Sequence, residues 1–162
     1  MNQTANYLLR VLEKELSKKK LDKFTMADLI RCSGVKRSTI YYYFGDLNEV
    51  YDAYLENLLT KRIVMTNINE QISELVYFIS TKEILCLNLY HLTKAQVRRN
   101  YFLKILNESF QQFDLCSEEQ GIYLVGGFLF ILMNWFDTGL DEHDRIILKQ
   151  LMDYIEFVRT NN

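Results

Sequence analysis

Residues 36 to 43 place seven side chains that can hydrogen-bond or stack within one short stretch. A guanidinium group can bind a guanine edge through two hydrogen bonds, and hydroxyl and ammonium groups can contact phosphate. The one aliphatic residue of the stretch, Ile40, would hold a helix on a core and turn the polar row outward. The pattern is typical of a nucleic-acid contact, and its members are Lys36, Arg37, Ser38, Thr39, Tyr41, Tyr42 and Tyr43.

Two signals before this stretch predict the elements that position it. Thr25 and Asp28 have the spacing of a capping box, which predicts the start of a first helix. Gly34 lies where a tight turn needs a residue that accepts positive φ. A second short helix is predicted from about Lys36, so the two helices and their turn form a helix-turn-helix.

We assign the polar row by side-chain chemistry. Arg37, Ser38 and Tyr42 are predicted to contact base edges, as residues of a recognition helix do in the major groove. Tyr41 also fits an inward position, because an aromatic residue in the middle of a helix often packs. The remaining residues are predicted to contact phosphate or to support the helix: Thr25, Lys36, Thr39, Tyr41 and Tyr43.

The segment resembles the DNA-binding head of the TetR family of transcriptional regulators. The resemblance covers about the first third of the chain and rests on Thr25, Gly34-Val35, Thr39-Ile40-Tyr41, Tyr43-Phe44 and the helix start Asp46-Leu47-Asn48-Glu49. The Tyr-Tyr-Tyr-Phe run, with the segment from Gly126-Gly127 to Thr138-Gly139, further resembles the short branch that includes regulators of dihydroxyacetone kinase.

The resemblance implies a transcriptional repressor that binds pseudo-palindromic double-stranded DNA as a homodimer and is released by a small-molecule effector. It implies an N-terminal three-helix DNA-binding domain over residues 1–45 and a helical dimerisation and effector domain over residues 46–162. Three positions depart from the family pattern, namely Ile30 for a small residue, Lys36 for a side-chain helix cap, and Leu47 for a lysine that touches phosphate. These departures favour an alternative, a helical protein-interaction regulator with a weakened DNA-binding head.

Composition supports a helical chain with its basic charge near the motif. There is no proline, there are 6 glycines, and apolar residues recur every three or four positions, which predicts an all-α fold. Residues 1–45 carry 9 Lys or Arg against 4 Asp or Glu, whereas residues 46–162 carry 10 against 17. The net charge is therefore +5 in the first segment and −7 in the second, which predicts that the first segment is the one that contacts DNA. A solvated basic surface would give the same count.

The cysteines, the N-terminus and the apolar stretches of the sequence predict neither a disulfide framework nor a membrane-spanning segment. Cys32, Cys86 and Cys116 are odd in number and widely spaced, which indicates a reducing, cytoplasmic location. The N-terminus lacks a secretory signal pattern. The apolar run from Ile122 to Phe136 is shorter than the roughly 20 residues that cross a bilayer, so it predicts a buried helix.

That apolar helix and the last helix predict a two-fold dimer through a four-helix bundle. An ordinary monomer core is the alternative. Arg98 and Arg99 are expected to face solvent only. The predicted dimer contacts are Phe128, Ile131, Leu132, Trp135, Ile147, Leu151 and Tyr154.

Aromatic residues of the middle helices predict either a filled core or a pocket for an apolar or aromatic effector. The pocket candidates are Tyr77, Phe78, Tyr90, Tyr101, Phe102 and Phe110. His91 and His143 stand outside any nucleophile, acid–base or metal-ligand pattern, so we expect no enzyme activity, no metal and no cofactor.

Overall fold

A computed structural model describes residues 2–61, 67–95, 97–113 and 118–160, and Cys116 lies outside these ranges. Every regular element in them is helical, so the all-α prediction is confirmed. A 3₁₀ turn at Gln111–Phe113 follows the seventh of the described α-helices. These are α1 (Gln3–Leu16), α2 (Met26–Ser33), α3 (Arg37–Tyr43), α4 (Leu47–Lys61), α5 (Ile68–Thr81), α6 (Glu83–Leu92), α7 (Arg99–Phe110), α8 (Glu118–Asp137) and α9 (Asp144–Thr160).

The first four helices share one apolar core. Leu8, Leu12 and Leu16 recur along α1 and are completely buried, as the helical spacing of apolar residues requires. They pack with Leu29 of α2, Ile40 of α3 and the buried side of α4. The first half of α4 therefore belongs to the same core as the helix-turn-helix, which we call the head.

Helices α5 to α9 enclose a second core. Helix α8 lies between α7 and α9, and α9 also packs against α5. Phe128 of α8 is completely buried, and the Phe110 ring meets it edge-on with the ring centroids 4.9 Å apart. The apolar run from Ile122 to Phe136 thus lies in α8, and one side of it fills this second core. We call helices α5 to α9 the second domain.

Helix α6 joins the two cores. Its Leu85 and Leu89 pack into the head, while its Cys86 packs into the second core. Next to them, Asn88 is buried and fully engaged: its Nδ2 donates to the carbonyls of Leu16 (2.7 Å) and Lys19 (2.8 Å), and its Oδ1 accepts from the Leu21 N–H (2.8 Å). This side chain fixes the loop after α1 on the second domain.

The loops before α7 and α9 have defined turns and side-chain contacts. Helix α7 begins at Arg99, after a turn in which Lys94 has φ +52°. Helix α9 begins at Asp144, and in the preceding loop the Glu142 carbonyl accepts from the Trp135 Nε1 (2.9 Å). Trp135 therefore ties this loop to the end of α8.

The expectation that Arg98 only faces solvent is wrong. Its guanidinium forms an ion pair with Asp52 of α4 and lies 4.3 Å from the centroid of the Tyr101 ring. The Tyr101 hydroxyl also donates to the Asp52 carbonyl (3.3 Å). Arg98 therefore ties α4 to the start of α7, whereas Arg99 is exposed as expected.

Candidate nucleic-acid interface

Helix α3 is fixed on the head by one completely buried residue, Ile40, and by Phe44 four residues later. Residues four apart lie on the same side of a helix, so Arg37 and Tyr41 share one outward row and Ser38 and Tyr42 share the next. Arg37, Ser38, Tyr41 and Tyr42 are all exposed. The helix thus presents a continuous polar and aromatic surface.

The tyrosines of α3 are not equivalent. Tyr42 is 81% exposed and projects farthest, while Tyr43 is half-buried and meets the Tyr42 ring edge-on with the centroids 5.0 Å apart. Tyr41 is 41% exposed, which excludes an inward core position for its ring. The Arg37 guanidinium lies 5.2 Å from the Tyr41 ring centroid, within cation–π range. Tyr41 therefore restricts where Arg37 points.

The helix-turn-helix is set by local hydrogen bonds that the sequence predicts. The Asp28 N–H donates to Thr25 Oγ1 (3.2 Å), and the Thr25 N–H and hydroxyl donate to Asp28 Oδ2 (2.9 and 2.6 Å). These bonds confirm the capping box and engage the Thr25 hydroxyl hydrogen. They also hold the pKa of Asp28 below its ordinary value, the Thr25 hydroxyl contributing most and Arg31 next. Gly34 ends α2 with φ +67°, as the turn requires.

The departures from the family pattern have structural counterparts. Lys36 is the residue before α3, is exposed, and caps the helix with no side-chain hydrogen bond. Leu47 is half-buried against the head core instead of presenting a cation. Thr39 is half-buried. Helix α4 is capped by Asp46 Oδ1, which accepts from the Glu49 N–H (3.0 Å).

The structure adds a surface that sequence reasoning missed. A groove of about 500 Å³ runs along the start of α1 beside the turn into α3. The Tyr7 hydroxyl donates to the Ser33 carbonyl (3.0 Å) and ties α1 to that turn. The spacing of Gln3, Tyr7 and Arg10 at i, i+4 and i+7 could have indicated one polar side of α1. Arg10 supplies a cation to this groove.

Five of the seven predicted dimer contacts are buried in the core of their own chain. Phe128, Leu132, Trp135, Ile147 and Leu151 are at most 6% exposed, so their side chains cannot form direct contacts with a second copy. Ile131 and Tyr154 are half-buried. A helix that is apolar nearly all round does not reveal from its sequence which side is inward, and dimer contacts through Ile131 and Tyr154 stay a prediction. The exposed apolar residues of α8 and α9 are instead Ile122, Tyr123, Phe130, Ile146 and Phe157.

The second domain contains an apolar cavity of about 120 Å³. Of the six predicted pocket residues, Phe78, Tyr90 and Phe102 line it. Tyr77 is 64% exposed on α5 and Tyr101 contacts Asp52, while Phe110 packs on Phe128, so these three are outside its lining. On the α4 side the wall is formed by Leu55, Leu58 and Leu59.

Within the described residues, no cluster of three or more His, Cys, Asp and Glu side chains is placed to hold a metal ion. His143 Nδ1 lies 2.7 Å from Asp144 Oδ1 at the exposed start of α9. In the same part of the chain, no helix combines the length and apolar character needed to cross a membrane.

No protein-family model matches the sequence, and no curated protein is significantly similar to it. Among solved structures, the chain is similar to a TetR transcriptional regulator from Rhodococcus sp. RHA1, with a TM-score of 0.66. The superposition covers 98% of this chain and 98% of that chain, at 11% sequence identity. A likeness over nearly the whole of both chains includes the head as well as the second domain. The chain therefore has a TetR-like fold.

Proposed function

We propose that this protein is a transcriptional repressor that binds a pseudo-palindromic operator as a homodimer. The observation that carries the proposal is the outward row of α3, in which Arg37, Ser38, Tyr41 and Tyr42 are exposed while Ile40 is completely buried. A short helix fixed in this way can enter a major groove with its polar side against base edges. The net charge of +5 on residues 1–45 favours the approach to DNA.

Within each head, Arg37, Ser38 and Tyr42 contact base edges, and Tyr41 supports Arg37 from the side. Lys36, just before α3, and Arg10 of α1 contact phosphates. Thr39 and Tyr43 are half-buried and support the helix. Thr25 positions α2, since its hydroxyl hydrogen is already donated to Asp28.

Dimerisation uses the exposed apolar side of α8 and α9. Tyr123 and Phe130 lie seven residues apart on α8 and are 77% and 71% exposed. Phe157 is exposed on the neighbouring α9. Large apolar side chains gathered on one surface indicate a contact, and a two-fold axis makes such a contact self-complementary. Two heads related by that axis would enter major grooves about 34 to 36 Å apart.

The apolar cavity is the candidate effector site. It is slightly smaller than a cavity of about 150 Å³ that holds benzene in another protein. Burial raises the pKa of the Cys86 thiol to about 12, and the Thr93 hydroxyl donates to the Leu89 carbonyl (2.5 Å). The wall thus holds a neutral thiol and an already bonded hydroxyl, which suits a small uncharged hydrocarbon or aromatic effector.

The test is selection of bound fragments from a random duplex pool with the purified protein. Enrichment of one inverted repeat, and an affinity that falls steeply with salt, are the expected results. Retention of duplexes without any enriched sequence would contradict an operator-specific regulator.

The second candidate is a helical protein-interaction regulator. It is favoured by the uncapped start of α3 and by Leu47, which is half-buried and offers no cation to phosphate. If this second function is correct, the same selection should enrich no inverted repeat, and the protein should bind duplex DNA only weakly at physiological salt. The one experiment therefore separates the two functions.

A further inference from the structure

A groove of about 640 Å³ lies where the head meets the second domain. Its head side comes from the loop before α2 and from the first turns of α4. Its other side comes from the end of α6 and the residues that follow. Its walls include Asp22, Lys23 and Phe24 of the head, with Tyr90, His91 and Lys94 opposite.

The groove is held in shape by the buried Asn88. This side chain bonds the backbone of Leu16, Lys19 and Leu21, which are the residues that lead into the Asp22–Phe24 wall. Because Asn88 belongs to α6, the same helix that ends in the opposite wall, the two sides of the groove are fixed to one another. A site of this kind exists before a ligand arrives, which reduces the cost of binding.

The polar groups of the groove favour an anion. Lys23 and Lys94 contribute two ammonium groups, against a single carboxylate from Asp22. His91 and Asn48 add hydrogen-bond donors. Lysine ammonium groups bind phosphate and carboxylate as compact point charges. Phe24, Leu92 and Tyr90 supply apolar and aromatic wall for the rest of a ligand.

Lys94 and Tyr51 have defined surroundings in the walls of this groove. Lys94 has φ +52°, the left-handed conformation of the turn that ends α6, in which the Ala95 N–H donates to the Tyr90 carbonyl (3.2 Å). The Tyr51 hydroxyl in the wall is buried and makes no hydrogen bond. Burial raises the pKa of Tyr51 to about 12, so this enclosed hydroxyl stays neutral and Tyr51 offers other parts of its side chain to the groove.

We propose that the groove binds a metabolite-sized organic anion, with an apolar or aromatic body and a phosphate or carboxylate group held by Lys23 and Lys94. The volume is within the range of small-molecule sites. A molecule bound there contacts the head and the second domain together, so it would favour the head orientation that this structure has. The proposal is independent of DNA binding and of the apolar cavity.

The test is titration of the ¹⁵N-labelled protein with phenyl phosphate and with benzoate at constant ionic strength, using phenol as the uncharged control. We expect anion-induced shifts of the groove amides at residues 22–24 and 47–48, which line the groove but not the apolar cavity, with phenol leaving these amides unshifted. The stronger of the two anions identifies the anionic group that the groove prefers.

The double variant Lys23→Gln/Lys94→Gln should weaken anion binding about tenfold or more, the effect of losing roughly 1.4 kcal/mol. The matched control is Lys14→Gln/Lys20→Gln, which removes the same charge from exposed lysines outside the groove lining and should leave the affinity unchanged. Shifts confined to other surfaces, equal shifts of the groove amides with phenol, or an unchanged affinity in the Lys23/Lys94 variant would each overturn the proposal.

Discussion

Arg37 and Lys36 are adjacent cations with different surroundings. The Arg37 guanidinium is restrained by the Tyr41 ring, on the first turn of a helix that Ile40 holds in place. Lys36 precedes the helix and makes no side-chain cap bond. A restrained planar group suits bidentate recognition of a base, whereas a flexible ammonium suits a phosphate. The proposed division of contacts thus follows from local structure.

We expect Arg37→Ala to weaken binding of the selected duplex by about 1 to 3 kcal/mol and to relax preference at one base pair. Lys36→Ala should weaken binding to all duplexes alike and reduce the salt slope by about 1. Fluorescence anisotropy on the selected operator and on its single-base variants measures both effects. A uniform loss for Arg37→Ala would reassign that residue to phosphate.

Asp28 makes the stability of the head depend on pH. The Thr25 hydroxyl and then Arg31 hold the pKa of Asp28 below its ordinary value. The stabilisation is therefore present above the ordinary carboxyl pKa of about 3.9 and is lost as pH falls through the lower folded-state value. We expect Asp28→Asn to lower the urea midpoint at pH 7, with a gap from the wild type that narrows below about pH 4. A difference in urea midpoint that stays the same from pH 7 to below pH 4 would contradict this role of Asp28.

At the scale of elements, helices α8 and α9 approach each other closely at Gly127, whereas its neighbour Gly126 lies in open space. A Cβ atom built on Gly127 would lie 2.2 Å from the Tyr154 hydroxyl oxygen, whereas one built on Gly126 meets nothing within 4 Å. The Tyr154 hydroxyl donates to the Tyr123 carbonyl of α8 (2.8 Å). Gly127 is therefore the position that lets the Tyr154 ring cross α8.

We expect opposite effects from the same substitution at these neighbours. Gly126→Ala should stabilise the protein by up to about 1 kcal/mol, because alanine is the better helix former and the site is open. Gly127→Ala should destabilise it, because Tyr154 must move and its hydrogen bond is lost. Urea unfolding of the two variants measures the difference. Equal effects would show that Tyr154 adapts without cost.

The elements that sequence predicted well are those with local signals. The Thr25–Asp28 box and the Gly34 turn depend on residues at most four positions apart, so they fix α2 and its end without reference to the rest of the chain. The loop before α9 has no such local signal, because the Trp135 Nε1 of α8 holds it by donating to the Glu142 carbonyl.

The whole molecule depends on contacts that periodicity cannot reveal. Arg98 pairs with Asp52, 46 residues away, and Asn88 bonds the Leu16 carbonyl, 72 residues away. The sequence does not show which distant group a charged or amide side chain will contact. It therefore predicts only a solvent-facing position for Arg98. The dimer contacts show the same difficulty, because sequence does not tell which side of α8 faces the core. Apolar character alone does not separate Phe128, which is buried, from Phe130, which is exposed.

The exposed apolar side of α8 and α9 gives a test of assembly. We expect Tyr123→Lys/Phe130→Lys to convert the proposed dimer to a monomer, because like charges would meet across a two-fold axis. Sedimentation velocity measures the change. Tyr77→Lys/Val97→Lys is the matched control, since these two residues are 64% and 83% exposed and belong to neither α8 nor α9. The proposed interface would be contradicted if the wild-type protein sediments as a monomer, or if the Tyr123→Lys/Phe130→Lys variant remains a dimer.

The apolar cavity gives a test of effector control. Benzene is expected to bind it and to raise the midpoint of thermal unfolding, since a ligand at 100 times its Kd contributes about 2.7 kcal/mol. Its wall includes Leu55 and Leu58 of α4, the helix that also packs in the head core. Binding that displaces α4 should therefore weaken operator affinity, provided the ligand favours the displaced state.

Cys86→Leu separates this effect from a general action of benzene. Cys86 is buried in the cavity wall, and a larger apolar side chain there occupies space that the ligand needs. We expect this variant to fold, to bind the operator, and to lose both the thermal shift and the response of operator affinity to benzene. If the variant keeps both responses, benzene acts elsewhere. If the wild type binds benzene but keeps its operator affinity, the cavity belongs to the core and α4 does not transmit its occupancy to the head.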